Sequence, residues 1–319
     1  MAILAASAYL QRVPTNPIIM SRFAKLSWTI VKWLFYIVVG LVVLLFLFIE
    51  GFDRYIATDR GARWLFKNMP NQNIEINRTP SGVRYVSIGD EDKPLLMLIH
   101  GAPGSLYDWK SFAKRADLYD QYRVLIVERP GYGGTKPRKP EPSIKIQAAR
   151  ILEVLDKEGK PAVVMGHSYG GPIAVAMGAM SPNMVEKVIG VSGQYDPDNE
   201  ITFRISYFIN FKLFKYLLPR FIWVSNVEKL THPDGLREIQ PLFAEVKVPV
   251  VLLHGDSDTL VPYENSPFLM NLMSGEAELI TLPGWDHPIH MTESDYLVDF
   301  VLGKRVMPEG ADETETLGK

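Results

Sequence analysis

Ser168 is the residue whose surroundings most clearly suit nucleophilic chemistry. It lies in a Gly-x-Ser-x-Gly motif at 166–170, directly after the apolar run 162–165. A sharp turn from a strand into a helix lifts a serine hydroxyl out of the core. Glycines on either side of the serine leave room for the strained backbone of such a turn. We therefore predict that Ser168 is a nucleophile at the end of a buried strand.

A serine hydroxyl needs a base within hydrogen-bonding distance and a third group that orients this base. Asp258 follows the apolar run 248–253, and His287 follows the run 278–282. Both are expected at the carboxyl ends of strands, where open α/β sheets carry their sites. We expect the turn after a further apolar run to direct the backbone N–H of Ala102 to the same space as that of Tyr169, as a pair of donors for an oxyanion.

Alternatives exist for the acid and for the base. Asp256 is the second candidate acid, and its alternative role is to hold a structural turn. His290 is the second candidate base, and Gly284, three residues before His287, favours His287 because a turn is needed there. Three other histidines lie in tight turns and are interpreted as structural: His100, His167 and His254. His232 is interpreted as a solvated loop residue. No histidine–carboxylate spacing indicates a metal site.

Five segments, in this order, resemble the α/β-hydrolase superfamily over most of residues 80–304. They are His-Gly-x-Pro-Gly at 100–104, Glu-Arg-Pro-Gly-Tyr-Gly at 128–133, the serine motif at 166–170, His-Gly-x-x-Asp-x-x-Val-Pro at 254–262 and Gly-x-x-His at 284–287. The resemblance implies a triad of Ser168, His287 and Asp258, with Ala102 and Tyr169 as oxyanion donors. It also implies a cap over the site and no cofactor. One departure is Asp286, where the family often has glycine before the catalytic histidine.

The elements that must position these residues are short apolar runs that alternate with helical stretches. Unbroken apolar strands are buried on both faces, so we predict an α/β fold with a mostly parallel central sheet flanked by helices. Helices are predicted over 105–116, 144–157, 171–180 and 297–302. The predicted core comprises 73–194 and 246–304. Residues 195–245 are predicted to form a helical cap, in which most of the crowded aromatic residues pack as core and a few line a substrate slot.

An apolar segment precedes this domain. Residues 33–49 carry no charge and, extended back to residue 28, are long enough to span a bilayer as a helix. We predict a transmembrane anchor at 28–50, a cytoplasmic N-terminal segment at 1–27 and an extracytoplasmic catalytic domain, because basic residues precede the apolar run. A cleaved signal peptide is less favoured because no small-residue cleavage site follows. Met20 is a more natural start, so residues 1–19 are either an upstream extension or a cytoplasmic tail.

Two further segments flank the domain. Residues 51–72 are predicted to form either a juxtamembrane stalk or a helix packed on the domain. Residues 305–319 are acidic and poor in apolar residues, which predicts a disordered tail.

The composition excludes several kinds of chemistry. The 319 residues carry a net charge of −2, which gives no reason to expect nucleic acid as a partner. The absence of cysteine excludes disulfides, thiolate metal sites and cysteine nucleophiles. We predict a membrane-anchored serine hydrolase for a small-molecule or lipid-like ester. One alternative is a prolyl-aminopeptidase-like enzyme, which requires acidic residues in the cap to bind an amino terminus. The non-enzymatic alternative is a membrane-tethered scaffold.

Overall fold

The computed structural model describes residues 17–71, 73–211, 213–304 and 315–317, with side chains placed between residues 27 and 304. Contacts divide the chain into two units, residues 1–50 and 51–319. The first sixteen residues of the predicted cytoplasmic segment lie outside the described part. So do residues 305–314, 318 and 319 of the predicted tail.

Helix α1 (Pro17–Ile56) contains the predicted anchor. Its stretch from Ser27 to Ile56 has a hydropathy of 2.7 and is long enough to cross a membrane. Large side chains such as Trp33, Phe35 and Leu44 are more than half exposed. Exposure of so much apolar surface to water is unfavourable. By length and composition, α1 is therefore a candidate membrane span.

The second unit is built on a twisted sheet. Within the described residues the strand order is β1-β2-β4-β3-β5-β6-β7-β8-β9. The strands are β1 (Ile74–Arg78), β2 (Arg84–Ile88), β3 (Leu95–Ile99), β4 (Arg123–Glu128), β5 (Ala162–His167), β6 (Val185–Val191), β7 (Val250–Gly255), β8 (Ala277–Leu282) and β9 (Glu315–Leu317). Neighbours from β4 through β8 are parallel, whereas β1, β2 and β9 pair antiparallel at the edges. The predicted mostly parallel sheet is confirmed.

Helices cover both faces of this sheet. The helices of this unit, including those of the cap segment, are α2 (Asp59–Phe66), α3 (Leu118–Gln121), α4 (Ile144–Glu158), α5 (Gly170–Met180), α6 (Arg204–Ile209), α7 (Phe214–Leu217), α8 (Arg220–Phe243), α9 (Asn265–Leu272), α10 (Ile289–Thr292) and α11 (Ser294–Val301). Alternate residues of β3 enter two separate apolar clusters. Met97 packs with α4, α5 and α8, whereas Leu98 packs with α2, α10 and α11. Burial on both faces explains the unbroken apolar sequence of the central strands.

The segment 105–116 differs from the predicted α-helix. It forms two 3₁₀-helices, Leu106–Trp109 and Phe112–Lys114. Leu106, Trp109 and Phe112 are all fully buried, and they recur every three residues. A 3₁₀-helix has three residues per turn, so it places all three side chains on the face that packs against the sheet. The spacing of three residues between the apolar side chains therefore favours a 3₁₀-helix over an α-helix in this segment.

Of the two possibilities for residues 51–72, the structure contains the packed helix. Thr58 accepts a hydrogen bond from the N–H of Gly61 and so caps α2. Leu65 and Phe66 of this helix are buried against the domain. Arg84 donates hydrogen bonds to the carbonyls of Ile56 and Ala57, each at 2.9 Å. The chain is therefore fixed to the domain immediately after α1.

Helices α6, α7 and α8 lie within the predicted cap segment. The expectation that its aromatic residues are mostly core is wrong, since none of the eight between Phe203 and Trp223 is buried. Five are exposed, and the other three are half-buried. Helix α8 holds the cap to the domain through buried side chains of both kinds. Leu236, Ile239 and Phe243 pack in the apolar core, and Glu228 pairs with a buried arginine of the domain.

Candidate active site

Ser168 follows β5 and precedes α5. Its φ angle is +52°, in the left-handed region that is unfavourable for a residue with a side chain. A Cβ at Gly166 would overlap the carbonyl of Gly170, and a Cβ at Gly170 would overlap the carbonyl of Ile99. The turn therefore requires both glycines of the motif. It holds the Ser168 side chain at the carboxyl end of the sheet.

Asp258 and His287 meet at the same edge. His287 Nδ1 lies 2.8 Å from Asp258 Oδ2. The other carboxylate oxygen of Asp258 accepts from the backbone N–H of Leu260 at 2.9 Å and of Val261 at 2.8 Å. The Asp258 side chain is fully buried. The backbone of its own loop therefore holds Oδ1, and the side chains of His287 and His254 hold Oδ2.

The charge on Asp258 determines the proton position on His287. Burial would raise the pKa of Asp258, but hydrogen bonds from His254 and His287 hold it well below its usual range. An ionised carboxylate only accepts hydrogen bonds. His287 Nδ1 therefore carries the proton, and Nε2 presents a lone pair. This is the tautomer that a general base for a serine hydroxyl requires.

Ser168 and His287 line one cavity of about 270 Å³. Ala102 and Tyr169, the two predicted oxyanion donors, line it as well. Among the described residues, no group accepts a hydrogen bond from the backbone N–H of either. Both N–H groups remain available to an oxygen that enters the cavity. All five predicted site residues thus occur around this space, Asp258 through its contact with His287.

The cap and neighbouring loops supply the rest of the cavity wall. Five of its side chains are apolar: Pro103, Phe203, Ile222, Leu260 and Val261. Six are polar, and one of them is a lysine: Gln194, Ser206, Ser225, Asn226, Lys229 and His232. None of the lining residues is acidic.

His232 was expected to be a solvated loop residue, and that expectation is wrong. It lies inside α8 and is fully buried. Its Nδ1 donates to Glu200 Oε1 at 3.2 Å, and its ring lies 4.3 Å from the ring of Tyr169. The adjacent Pro233 indicated a loop, but α8 continues through this proline. In the described part of the chain, neither His232 Nε2 nor the amide nitrogen of Gln194 has a hydrogen-bond partner.

Asp256 and His290, the alternative acid and base, make contacts that differ from those of Asp258 and His287. Asp256 Oδ1 accepts from the N–H of Gly284 at 2.7 Å and so holds a turn. His290 stacks on His167 at 3.6 Å between ring centroids and is absent from the cavity wall. Burial and the nearby His287 lower the pKa of His290 to about 3, so its ring is neutral at physiological pH. The geometry favours Asp258 and His287.

Asp286, the departure from the family pattern, stabilises the histidine loop. Its Oδ1 accepts from the N–H of His287 at 2.8 Å and from the N–H of Thr259 at 3.0 Å. Thr259 directly follows Asp258 in the sequence. One carboxylate oxygen therefore joins the loop of the candidate base to the loop of the candidate acid.

A buried ion pair behind the cavity was not predicted from the sequence. Arg129 donates to both carboxylate oxygens of Glu228, at 2.9 and 3.0 Å, and both side chains are fully buried. Arg129 also donates to the carbonyl of Gly101 at 2.8 Å. Tyr132 donates its hydroxyl to Glu228 at 2.6 Å. Helix α8 of the cap is thereby joined to the turn that carries Ala102.

Burial acts against the charge of this pair. It would lower the pKa of Arg129, but the attraction of Glu228 raises the pKa above its usual value. Arg129 therefore stays charged. With respect to metals, the described residues contain no group of three or more His, Asp or Glu side chains placed to hold an ion.

Comparison with known proteins agrees with this fold. Residues 96–300 match the family described as "Alpha/beta hydrolase family". The chain belongs to this family.

Individual relatives match over shorter stretches. Epoxide hydrolase 4 of Mus musculus is 33% identical over 117 residues, which are 35% of this chain and 32% of that protein. The sn-1-specific diacylglycerol lipase ABHD11 of Mus musculus is 31% identical over 121 residues, which are 38% of this chain and 39% of that protein. The chain thus spans about a third of the length of these curated relatives.

Solved structures share the fold. A membrane phospholipase A, described as a novel bacterial virulence factor, superposes with a TM-score of 0.60 at 19% identity. The match covers 85% of this chain and 98% of that one. The naproxen esterase of Bacillus subtilis has a TM-score of 0.57 at 19% identity, with 79% and 96% covered. At these identities the similarity establishes the fold.

Proposed function

We propose that this chain is a membrane-anchored serine hydrolase that cleaves an ester-like bond through Ser168, His287 and Asp258. One observation carries the proposal. The Ser168 side chain is held in a left-handed turn on a cavity that it shares with His287, whose Nδ1 donates to the ionised Asp258. This combination provides a nucleophile, a base in the required tautomer and a group that stabilises the charged base.

The reaction proceeds in two halves. His287 Nε2 takes the proton of Ser168 as the serine oxygen bonds to the substrate carbonyl, and the N–H groups of Ala102 and Tyr169 hold the resulting oxyanion. His287 then gives the proton to the leaving alcohol as the ester bond breaks, which leaves an acyl-serine. A water molecule, deprotonated by His287, attacks the acyl group, and the proton returns to Ser168 as the acid is released.

Serine chemistry separates this proposal from epoxide hydrolysis, which the names of several relatives indicate. Enzymes that open epoxides place aspartate at the position of Ser168. An epoxide attacked by aspartate gives an ester that water can cleave. Attack by Ser168 would give an ether, which water cannot cleave under the same catalysis. The serine therefore favours acyl transfer.

The cavity wall argues against the prolyl-aminopeptidase-like alternative. A free amino terminus requires an acidic partner, and none of the lining residues is acidic. The buried carboxylate of Glu200 accepts from Lys229 at 2.9 Å and from His232 at 3.2 Å. Both contacts fall on Oε1, and the ammonium group of Lys229 offsets the charge of this carboxylate, whose Oε2 has no hydrogen-bond partner among the described residues. An uncharged or acidic substrate fits this wall better than an ammonium group.

We also propose that α1 is the membrane anchor, with the catalytic domain on the extracytoplasmic side. Its length and composition support the span, and the basic residues Arg12, Arg22, Lys25 and Lys32 before the apolar run support the orientation.

The experiment compares the full-length protein in detergent with three variants, using p-nitrophenyl butyrate and a fluorophosphonate probe. Ser168→Ala is expected to abolish labelling and to lower kcat by about 10⁴-fold or more. His287→Gln is expected to be similarly impaired, while His290→Gln, the matched control, retains turnover. Unchanged activity of Ser168→Ala would exclude the mechanism. A folded wild-type protein that neither labels nor turns over would favour the scaffold.

A further inference from the structure

The cap carries an unusual concentration of exposed apolar side chains. Eight large ones between residues 203 and 217 are 54–75% exposed. We call this group the apolar cap surface: Phe203, Ile205, Tyr207, Phe208, Phe211, Leu213, Tyr216 and Leu217. Elsewhere in the described part of residues 51–319, no large apolar side chain exceeds 50% exposure. Exposed patches of this kind mark interaction surfaces.

The exposure comes from a segment that is anchored to the domain. Ser206, in the middle of α6, is buried, and its carbonyl accepts from the side-chain amide of Asn226 at 3.1 Å. Its neighbours Ile205 and Tyr207 point to the outside. One face of α6 therefore holds to α8, and the other presents apolar side chains outward.

Charge indicates what covers this surface. Residues 201–227 contain four basic residues and no acidic one. Arg204 and Lys215 are exposed, and among the described residues no carboxylate pairs with either. Apolar and aromatic side chains interleaved with basic ones match the interface of a bilayer that contains anionic lipids.

The position of the segment agrees with a lipid surface. Arg220, three residues after Leu217, lies 3.6 Å from Asp53. Asp53 itself follows the apolar part of the candidate span by four residues. The end of the apolar cap surface and the chain leaving the span are therefore neighbours within the domain. Four residues span at most about 14 Å, so chain length alone keeps Asp53 near the apolar part of the candidate span.

The surface is also continuous with the active-site cavity. Phe203 belongs to the apolar cap surface, and together with Ser206 it lines the cavity that contains Ser168. An apolar molecule that leaves the bilayer at this surface thus reaches the cavity wall along one short helix.

We propose that residues 203–217 dock on the lipid bilayer, with the apolar side chains inserted at headgroup depth and the basic ones against anionic lipid. This docking adds a second membrane contact to α1. It does not depend on the identity of the nucleophile.

The absence of cysteine allows single-site labelling of the full chain. Tyr207→Cys and Phe211→Cys carry an environment-sensitive fluorophore in the apolar cap surface. Ile146→Cys, an exposed apolar position on α4, is the matched control. The proteins are reconstituted into nanodiscs of phosphatidylcholine, with or without phosphatidylglycerol, that contain a nitroxide-labelled lipid as quencher.

Docking predicts several-fold stronger quenching and a blue-shifted emission at positions 207 and 211 compared with position 146. In Arg204→Gln/Lys215→Gln, removal of two basic residues should weaken docking to anionic discs by roughly tenfold or more. Equal quenching at all three positions overturns the proposal. Shielding at 207 that grows with protein concentration and not with lipid also overturns it, in favour of a protein partner. No response to the double substitution overturns the assignment to anionic lipid.

Fluorophosphonate labelling of Ser168 in the same samples tests the proposed function separately. Docked protein without labelling refutes the hydrolase and keeps the docking surface. Labelled protein without quenching supports the hydrolase and refutes the docking surface.

Discussion

Removing the charge of Glu228 tests how much the buried ion pair with Arg129 contributes to the stability of the fold. Glu228→Gln keeps the shape of the side chain and its ability to accept from Tyr132, but it leaves the Arg129 guanidinium fully buried without a counter-charge. Removal of one partner of a buried pair costs about 3–5 kcal/mol. At about 2–4 °C per kcal/mol for a domain of this size, the unfolding midpoint should fall by roughly 10 °C.

An exposed pair on the same helix provides the control. Arg237 of α8 lies 2.7 Å from Asp198, and the two side chains are 51% and 81% exposed. Asp198→Asn makes the same acid-to-amide change, but water screens this pair, so its cost is about 0–1 kcal/mol. The two variants are compared by thermal unfolding of the full chain in the same detergent.

A double variant separates burial of charge from lost packing. Arg129→Met combined with Glu228→Leu removes both charges, so it should be more stable than the sum of the single losses predicts. Equal midpoints for Glu228→Gln and Asp198→Asn would refute the reasoning. So would strictly additive losses in the double variant, because the two charges would then not depend on each other. Glu228→Gln should also lower kcat for p-nitrophenyl butyrate, since Arg129 holds the carbonyl of Gly101 beside Ala102.

Two further predictions concern the candidate acid and Asp108, a partly buried residue beside the turn of Ala102. Asp258→Asn should lower kcat for p-nitrophenyl butyrate by about 10³–10⁴-fold, because the amide no longer fixes the His287 tautomer. Asp256→Asn should retain activity within a few fold, and equal losses in the two variants would contradict the assignment of the acid. Burial raises the pKa of Asp108 to about 7, above the unfolded value of about 3.9. The folded state therefore favours protonated Asp108, and this contribution to stability is present below about pH 4 and is lost as the pH rises towards 7. Between pH 5 and pH 8, the unfolding midpoint of the wild type should fall relative to that of Asp108→Asn; parallel midpoints across this range would contradict it.

The sheet was predictable from sequence because its strands are buried on both faces. Such strands are continuous apolar runs, and the residues directly after them must meet at one edge. For Ser168, Asp258 and His287, the local pattern was therefore sufficient to place the side chains. The glycines at 166 and 170 added a steric requirement that few other turns share.

The parts that were missed depend on contacts between distant residues. Arg129 and Glu228 are 99 positions apart, and neither has a local signal that identifies its partner. His232 was misplaced because Pro233 indicates the end of a helix, whereas packing of α8 on the domain keeps the helix intact. The aromatic residues of the cap were taken for core because their number alone does not show which side faces the domain.

The cap therefore has two parts with different physical roles. Helix α8 is attached through a buried charged pair whose arginine also holds the turn of Ala102, so a change in α8 acts on the backbone donors of the active site. Helices α6 and α7 contribute few buried side chains and present apolar ones outward. Phe203 and Ser206 connect the parts, since both line the cavity. The part built on α8 can thus keep the proposed oxyanion donors in place while the outer part makes the proposed lipid contact, and neither role requires the cap to move as a whole.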